Sequence, residues 1–130
     1  NETDVRAVLT RIGGQFARFI TQSHVVMAMR TITAMAERMP DIALDFFERG
    51  PRLCADRLAH YLQTQVAAGR LAIDDVDLAA VQFLELAHSP LSRPLTFGAG
   101  ERPSEERIDA VVKSAVDLFL AGYGKAPAAG

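Results

Sequence analysis

The sequence predicts an all-α fold, a helical bundle of about six helices whose last two join those of a second copy in a dimeric four-helix bundle. Three observations carry this. Ala, Leu, Arg and Glu dominate, all good helix formers, and no stretch alternates β-branched with polar residues. The apolar residues recur at helical spacing between short breaks marked by Gly, Pro and capping residues. The last two helical segments are apolar around more of their circumference than a surface helix needs.

The first helix runs from about Thr3 to Thr21. Thr3 and Asp4 offer an N-cap and an acidic first turn. Gly13-Gly14 in its middle costs roughly 1–2 kcal/mol relative to two alanines, so the pair marks either close packing or a bend. The second helix, about Ser23 to Arg38, lies in "HVVMAMRTITAMAERMP", which holds all four methionines of the chain. At about 100° per residue Val25, Ala28, Met29, Ile32, Met35, Ala36 and Met39 share one face, with Arg30, Thr33, Glu37 and Arg38 opposite. Pro40 ends it. A short third helix, "DIALDFFERG", stops at Gly50. Pro51 starts the fourth, whose stripe carries Cys54, Leu58, Tyr61, Leu62 and Val66 with Gln65 among them, and Gly69 caps its end. Asp74 or Asp75 caps the fifth helix, which is expected to end before Pro90, leaving "LSRPLTFGAGERP" as the longest loop. Ser104 caps the sixth, which reaches about Tyr123. Residues 125–130 read as a disordered tail behind a domain spanning 1–124.

The fifth and sixth helices carry the inference about assembly. Val76, Ala79, Ala80, Val81, Phe83, Leu84, Leu86 and Ala87 leave the fifth only a narrow polar strip. A small domain covers both sides of two consecutive helices with difficulty, which points to a homodimer. The interface would then hold Val81, Leu84, His88, Ile108, Val112, Ala115, Val116 and Phe119. The alternative is that both helices are interior to one protomer.

Bulk properties narrow the function. At 49% hydrophobic and 23% charged residues the chain is globular. A net charge of −2 without a basic run excludes a nucleic-acid grip by this segment. No apolar run approaches a membrane span, and no signal peptide opens the chain. The glycosylation triplet Asn1-Glu2-Thr3 has no secretory context. A single cysteine forms no internal disulfide and fits a reducing, cytoplasmic setting. Without an initiator Met, the chain reads as a fragment or as one whose N-terminus is unseen.

No residue set carries catalysis. His24 and His60 fit helix surfaces, His60 beside Asp56. Glu85 and His88 match the Glu-x-x-His ligand pair of di-iron bundles, but no second copy exists. Cys54 lies on an apolar stripe where its thiol is unreactive, and the serines fit capping roles. No phosphate loop, HExxH or CxxC occurs, so no metal or cofactor is expected. A stand-alone helical enzyme or metal protein and a ligand-free dimerisation module remain as rivals. What stands out is an adaptable apolar interior. Met29, Ile32, Met35, Phe46, Cys54, Leu58, Tyr61, Gln65 and Phe83 form a candidate ligand-binding set, because flexible thioether and aromatic walls with a few polar groups suit a small-molecule pocket. The same residues also describe a filled core, and both readings stand at this point.

The order of segments is familiar. "RTITAMAERMPDIALDFFERGP", "AAGRLAIDDVDLAAVQFLEL" and the closing "AVDLFLAGYG" together resemble the AefR-like C-terminal domains of TetR-type transcriptional regulators, from about Arg30 to Gly124. That resemblance implies an effector-binding and dimerisation domain that follows a helix-turn-helix unit absent here. The first helix would then connect the two units, and a small apolar or amphipathic effector would lie among the middle helices. DNA would be bound only through the missing N-terminal domain.

Overall fold

The computed structural model describes residues 4–125, so Thr3 as a cap and the expected tail 126–130 lie outside the described residues. Six helices follow in order: α1 (Val5–Ile20), α2 (Ser23–Met35), α3 (Pro40–Arg49), α4 (Pro51–Ala67), α5 (Val76–Thr96) and α6 (Glu105–Tyr123). The capping chemistry acts as the residues suggest. Asp4, Asp75 and Ser104 accept from the amides of Ala7, Leu78 and Arg107, each satisfying an orphan donor of a first turn. Gly69 takes a φ of 80° behind α4, and the amide of Arg70 donates to the carbonyl of Gln65 at 3.0 Å.

α5 is the central helix, with α1, α4 and α6 all packed on it, and α1 lies along α6 as well. Leu9, Leu62, Phe83, Ile108 and Val116 meet there as fully buried side chains. Phe83 sets its ring edge-on to Phe119 at 5.4 Å between centroids. Gly13 explains the glycine pair. A Cβ at this position would stand 3.1 Å from both Phe83 and Val112, so α1 approaches α5 and α6 through the missing side chain. α1 runs unbroken through Gly13-Gly14, and close packing is the role of Gly13.

Ion pairs fasten α1 to α6 near both ends. Arg6 meets Asp117 at 2.6 Å, and Arg18 meets Glu105 and Asp109 at 2.7 Å each. Asp117 also accepts from Lys113 at 2.8 Å. Hydrogen bonds from Lys113 and Arg6 hold its carboxyl below the usual carboxylate range. The connector between α4 and α5 is tied to the end of α6: the amide of Ala72 donates to Tyr123 at 2.8 Å and that of Lys125 to Arg70 at 3.3 Å. Lys125 is therefore bonded in place, where the sequence suggested the start of a tail.

Three expectations are corrected. α2 ends at Met35, not Arg38, because Pro40 opens α3 and Met39 before it adopts a non-helical conformation. α5 does not end before Pro90. It continues through Pro90 and Pro94 to Thr96. Each proline removes one helical amide, but Leu91 and Ser92 are buried, and packing holds the last turns in place. The Arg30 guanidinium also donates to the carbonyls of Leu95 and of Thr96, the latter at 2.9 Å, neutralising the negative end of the helix. Finally, the methionine helix is not a core helix. Only Val25 and Val26 are buried in α2, Ala28, Ala36 and Met39 are exposed, and α3 buries nothing. Val26 turns inward instead, Arg30 and Thr33, expected on the opposite side, face α5, and few elements lie close enough to cover the rest: α3 packs chiefly on α2 and α4.

Candidate functional site

Because α2 leans on the C-terminal half of α5 without sealing against it, a cleft of about 220 Å³ opens between them. Ile20, Val26, Met29 and Phe97 form its apolar walls, and Thr33, Glu85, His88, Ser92, Arg93 and Thr96 its polar ones. A second recess of about 350 Å³ lies between α1, α4 and α5, lined by Ile12, Phe16, Phe19, Cys54, Leu58 and Leu84 among others. The Phe16 ring, edge-on to His88 at 5.1 Å between centroids, stands between the two.

The polar wall of the cleft is one face of α5. Glu85, His88 and Ser92 follow at spacings of three and four residues, which stacks them on adjacent turns. His88 Nε2 lies 3.1 Å from Glu85 Oε2, and His88 Nδ1 lies 2.7 Å from Ser92 Oγ. Arg93 reaches within 4.0 Å of Glu85 at the mouth. Glu85 and His88 thus pair with each other, and no group of three metal-ligating side chains occurs among the described residues.

The expected ligand-binding residues fall into separate places. Met29 lines the α2–α5 cleft, while Cys54 and Leu58 line the second recess. Cys54 is exposed there, a correction to the expectation of a shielded thiol, since α3 leaves the start of α4 open. Ile32, Met35 and Phe46 are half-buried along α2 and α3. Phe83 is sealed in the core against Gly13 and Phe119 and faces no open cavity. Gln65 is buried at the far end of α4, where its Oε1 accepts from Arg70 at 3.2 Å, and Tyr61 packs half-buried on the core.

The expected interface residues are redistributed too. Leu84, Ile108, Val112, Ala115, Val116 and Phe119 are all buried within the protomer. The apolar breadth that suggested a partner for them is met by α1 and α4 of the same chain. His88 faces the cleft, and Val81 remains exposed. Val81 instead belongs to an open groove of about 830 Å³ on the outer side of α5 and α6, with Leu86, Pro90, Leu118 and Tyr123.

Reasoning from sequence missed Ser92, Thr33, Thr96 and Phe97. The signal was present in part, because the Glu85–His88 spacing stood out as a metal motif. Ser92 completes it at the next turn, but only in a helix that passes through Pro90.

The chain matches the profile of the AefR-like transcriptional repressor C-terminal domain over residues 7–125. Among solved structures it is similar to a protein assigned to the TetR family of transcriptional regulators from Mesorhizobium loti, with a TM-score of 0.89 and 21% identity over 96% of this chain. It is also similar to the flavonoid-responsive regulator FrrA, with a TM-score of 0.68 and 23% identity over 96% of this chain. It spans 62% of the first protein and 74% of the second. No curated protein matches it by sequence.

Proposed function

This chain belongs to the family of AefR-like transcriptional repressor C-terminal domains, and on that premise we propose that it senses a small apolar or amphipathic effector and dimerises a one-component regulator. The observation that supports this best is the contrast between a sealed α1–α4–α5–α6 core and the unsealed cleft that α2 makes against α5. A ligand that binds one placement of α2 better than another biases the protein by that difference in affinity and no more. Homodimers would form through the exposed groove of α5 and α6, around Val81 and Leu118. DNA would be read by a helix-turn-helix unit ahead of α1, in a cytoplasmic protein with no catalytic role. Among the described residues no helix is long and apolar enough to cross a membrane.

Sedimentation of the purified chain together with titration of an apolar fluorescent dye tests this reading. A dimer whose dye is displaced by small amphipathic molecules supports it. A monomer that binds no dye overturns it, and the groove and cleft are then ordinary surface.

A further inference from the structure

The α2–α5 cleft is rich in hydrogen-bond acceptors, because its hydroxyl protons are already committed. The Thr33 hydroxyl donates to the carbonyl of Met29 at 2.8 Å, and the Thr96 hydroxyl to that of Ser92 at 3.1 Å. Ser92 follows from the relay. The carboxylate of Glu85 only accepts, so whenever the ring is uncharged its one proton sits on Nε2 of His88. Nδ1 is then an acceptor, and the Ser92 hydroxyl must donate to it across 2.7 Å. All three hydroxyl oxygens keep lone pairs and have no proton left to offer. A ligand whose polar group only accepts finds no complement among these hydroxyls and meets a donor only at the Arg93 guanidinium of the mouth, whereas a ligand that donates is matched at the hydroxyls themselves.

Two features narrow the donor. Arg93 stands beside Glu85 at the mouth, so the cleft holds no net negative charge to attract a cation. The Met29 thioether and the ring of Phe97, which is 79% exposed and stacked on none of the described rings, suit a flat aromatic body. We propose that this cleft takes an aromatic ligand bearing a neutral hydroxyl, and that the Glu85–His88–Ser92 relay reads that hydroxyl by accepting its proton at Ser92. The inference rests on the effector-sensing reading above and assigns it a ligand class.

A matched pair of probes tests it on the 130-residue chain. 2-Naphthol and 2-methoxynaphthalene differ by one methyl in place of the donated proton. The chain has no tryptophan, so naphthalene emission is read without interference. The expected result is 2-naphthol bound at least about tenfold tighter, as one unmade hydrogen bond in a partly buried site implies. The ε-methyl resonance of Met29 should shift while those of Met27 and Met39 stay in place. Ser92→Ala should reduce the preference to about twofold or less. His88→Phe keeps a ring edge against Phe16 but leaves the Ser92 proton free, and should do the same. Equal binding of the two probes to the wild-type chain overturns the relay and leaves the effector reading intact, as does a preference that survives Ser92→Ala. Binding that leaves the Met29 methyl unmoved overturns the assignment to this cleft, with the effector placed in another cavity. If no apolar probe binds at all, the relay and the effector reading fall together.

Discussion

α5 and α3 are both helices of one chain, yet they are built on opposite terms. α5 is enclosed by α1, α4 and α6 and contributes Ala79, Ala80, Phe83, Leu84, Ala87 and Leu91 to the core. α3 buries no residue, and it exposes Ile42, Leu44 and Phe47. The difference separates what keeps the protein folded from what is left free to adjust. Side chains around α5 are locked by mutual contact, so a change there is felt as lost stability. Around α2 and α3 a change alters the shape of an opening. Local stability is uneven in this sense wherever buried apolar contact is sparse.

The sharpest way to break the comparison is truncation on either side of it. Phe83→Ala should lower the unfolding free energy by about 3–5 kcal/mol, because a sealed ring leaves a cavity. Phe47→Ala, on an exposed ring beneath the Arg52 guanidinium, should stay within about 0.5–1 kcal/mol. Urea unfolding of both variants decides, and equal losses would end the distinction between the two regions.

Next in size is the exposed groove of α5 and α6. Val81→Glu with Leu118→Glu should weaken self-association by at least about tenfold, since charge placed in an apolar interface goes unpaired. The unfolding transition of the protomer should be retained. Unchanged sedimentation would remove this face as the interface.

The glycine pair offers a finer test within α1. Gly13→Ala should lose about 1 kcal/mol on balance. The helix preference for alanine is outweighed by crowding at 3.1 Å against two buried side chains. Gly14→Ala should gain up to about 1 kcal/mol, because the nearest obstacle is the flexible tip of Arg18. Thermal melts of the two variants moving in the same direction would contradict the packing described for α1.

The smallest effect concerns acid. Asp117 has its carboxyl pKa depressed by Lys113 and Arg6, so its contribution is present above the unfolded value and fades as pH falls through the folded one. The carboxyl is open to solvent, so the expected change is a slight loosening of α1 against α6 below the ordinary carboxylate range. Asp117→Asn should flatten that slope, and amide exchange in α1 followed against pH measures it.

Much of this architecture was legible in the chain itself. Asp4, Asp75 and Ser104 marked helix starts because capping is local chemistry, and Gly69 and Pro51 marked an end and a start for the same reason. What failed depended on distant neighbours. The inward face of α2 is rotated from the expected one, with Val26 buried and Arg30 and Thr33 turned toward α5, because periodicity ranks the sides of a helix by apolarity and cannot say which neighbour covers which side. Ile108 and Val116 suggested a second protomer because their partners on α1 come from about a hundred positions away in sequence. Pro90 and Pro94 argued for a loop, and the packing of Leu91 and the charge of Arg30 on another helix overrode them. That error also hid Ser92 from the candidate site, while Met29 and Leu58, which line separate openings, were singled out because pocket walls and core walls share a composition.

The ion pairs at either end of α1 have a mechanical consequence. A helix of 16 residues is a rod about 24 Å long. Packed along α6 and paired with it at Arg6 and again at Arg18, it runs unbroken and would turn together with α6. In the proposed regulator the reading heads would therefore be carried by a rigid strut. A turn of about 5° sweeps the far end of such a rod through about 2 Å. Two struts in a dimer double that excursion, so small angles at the protomer boundary suffice to set the reach across DNA.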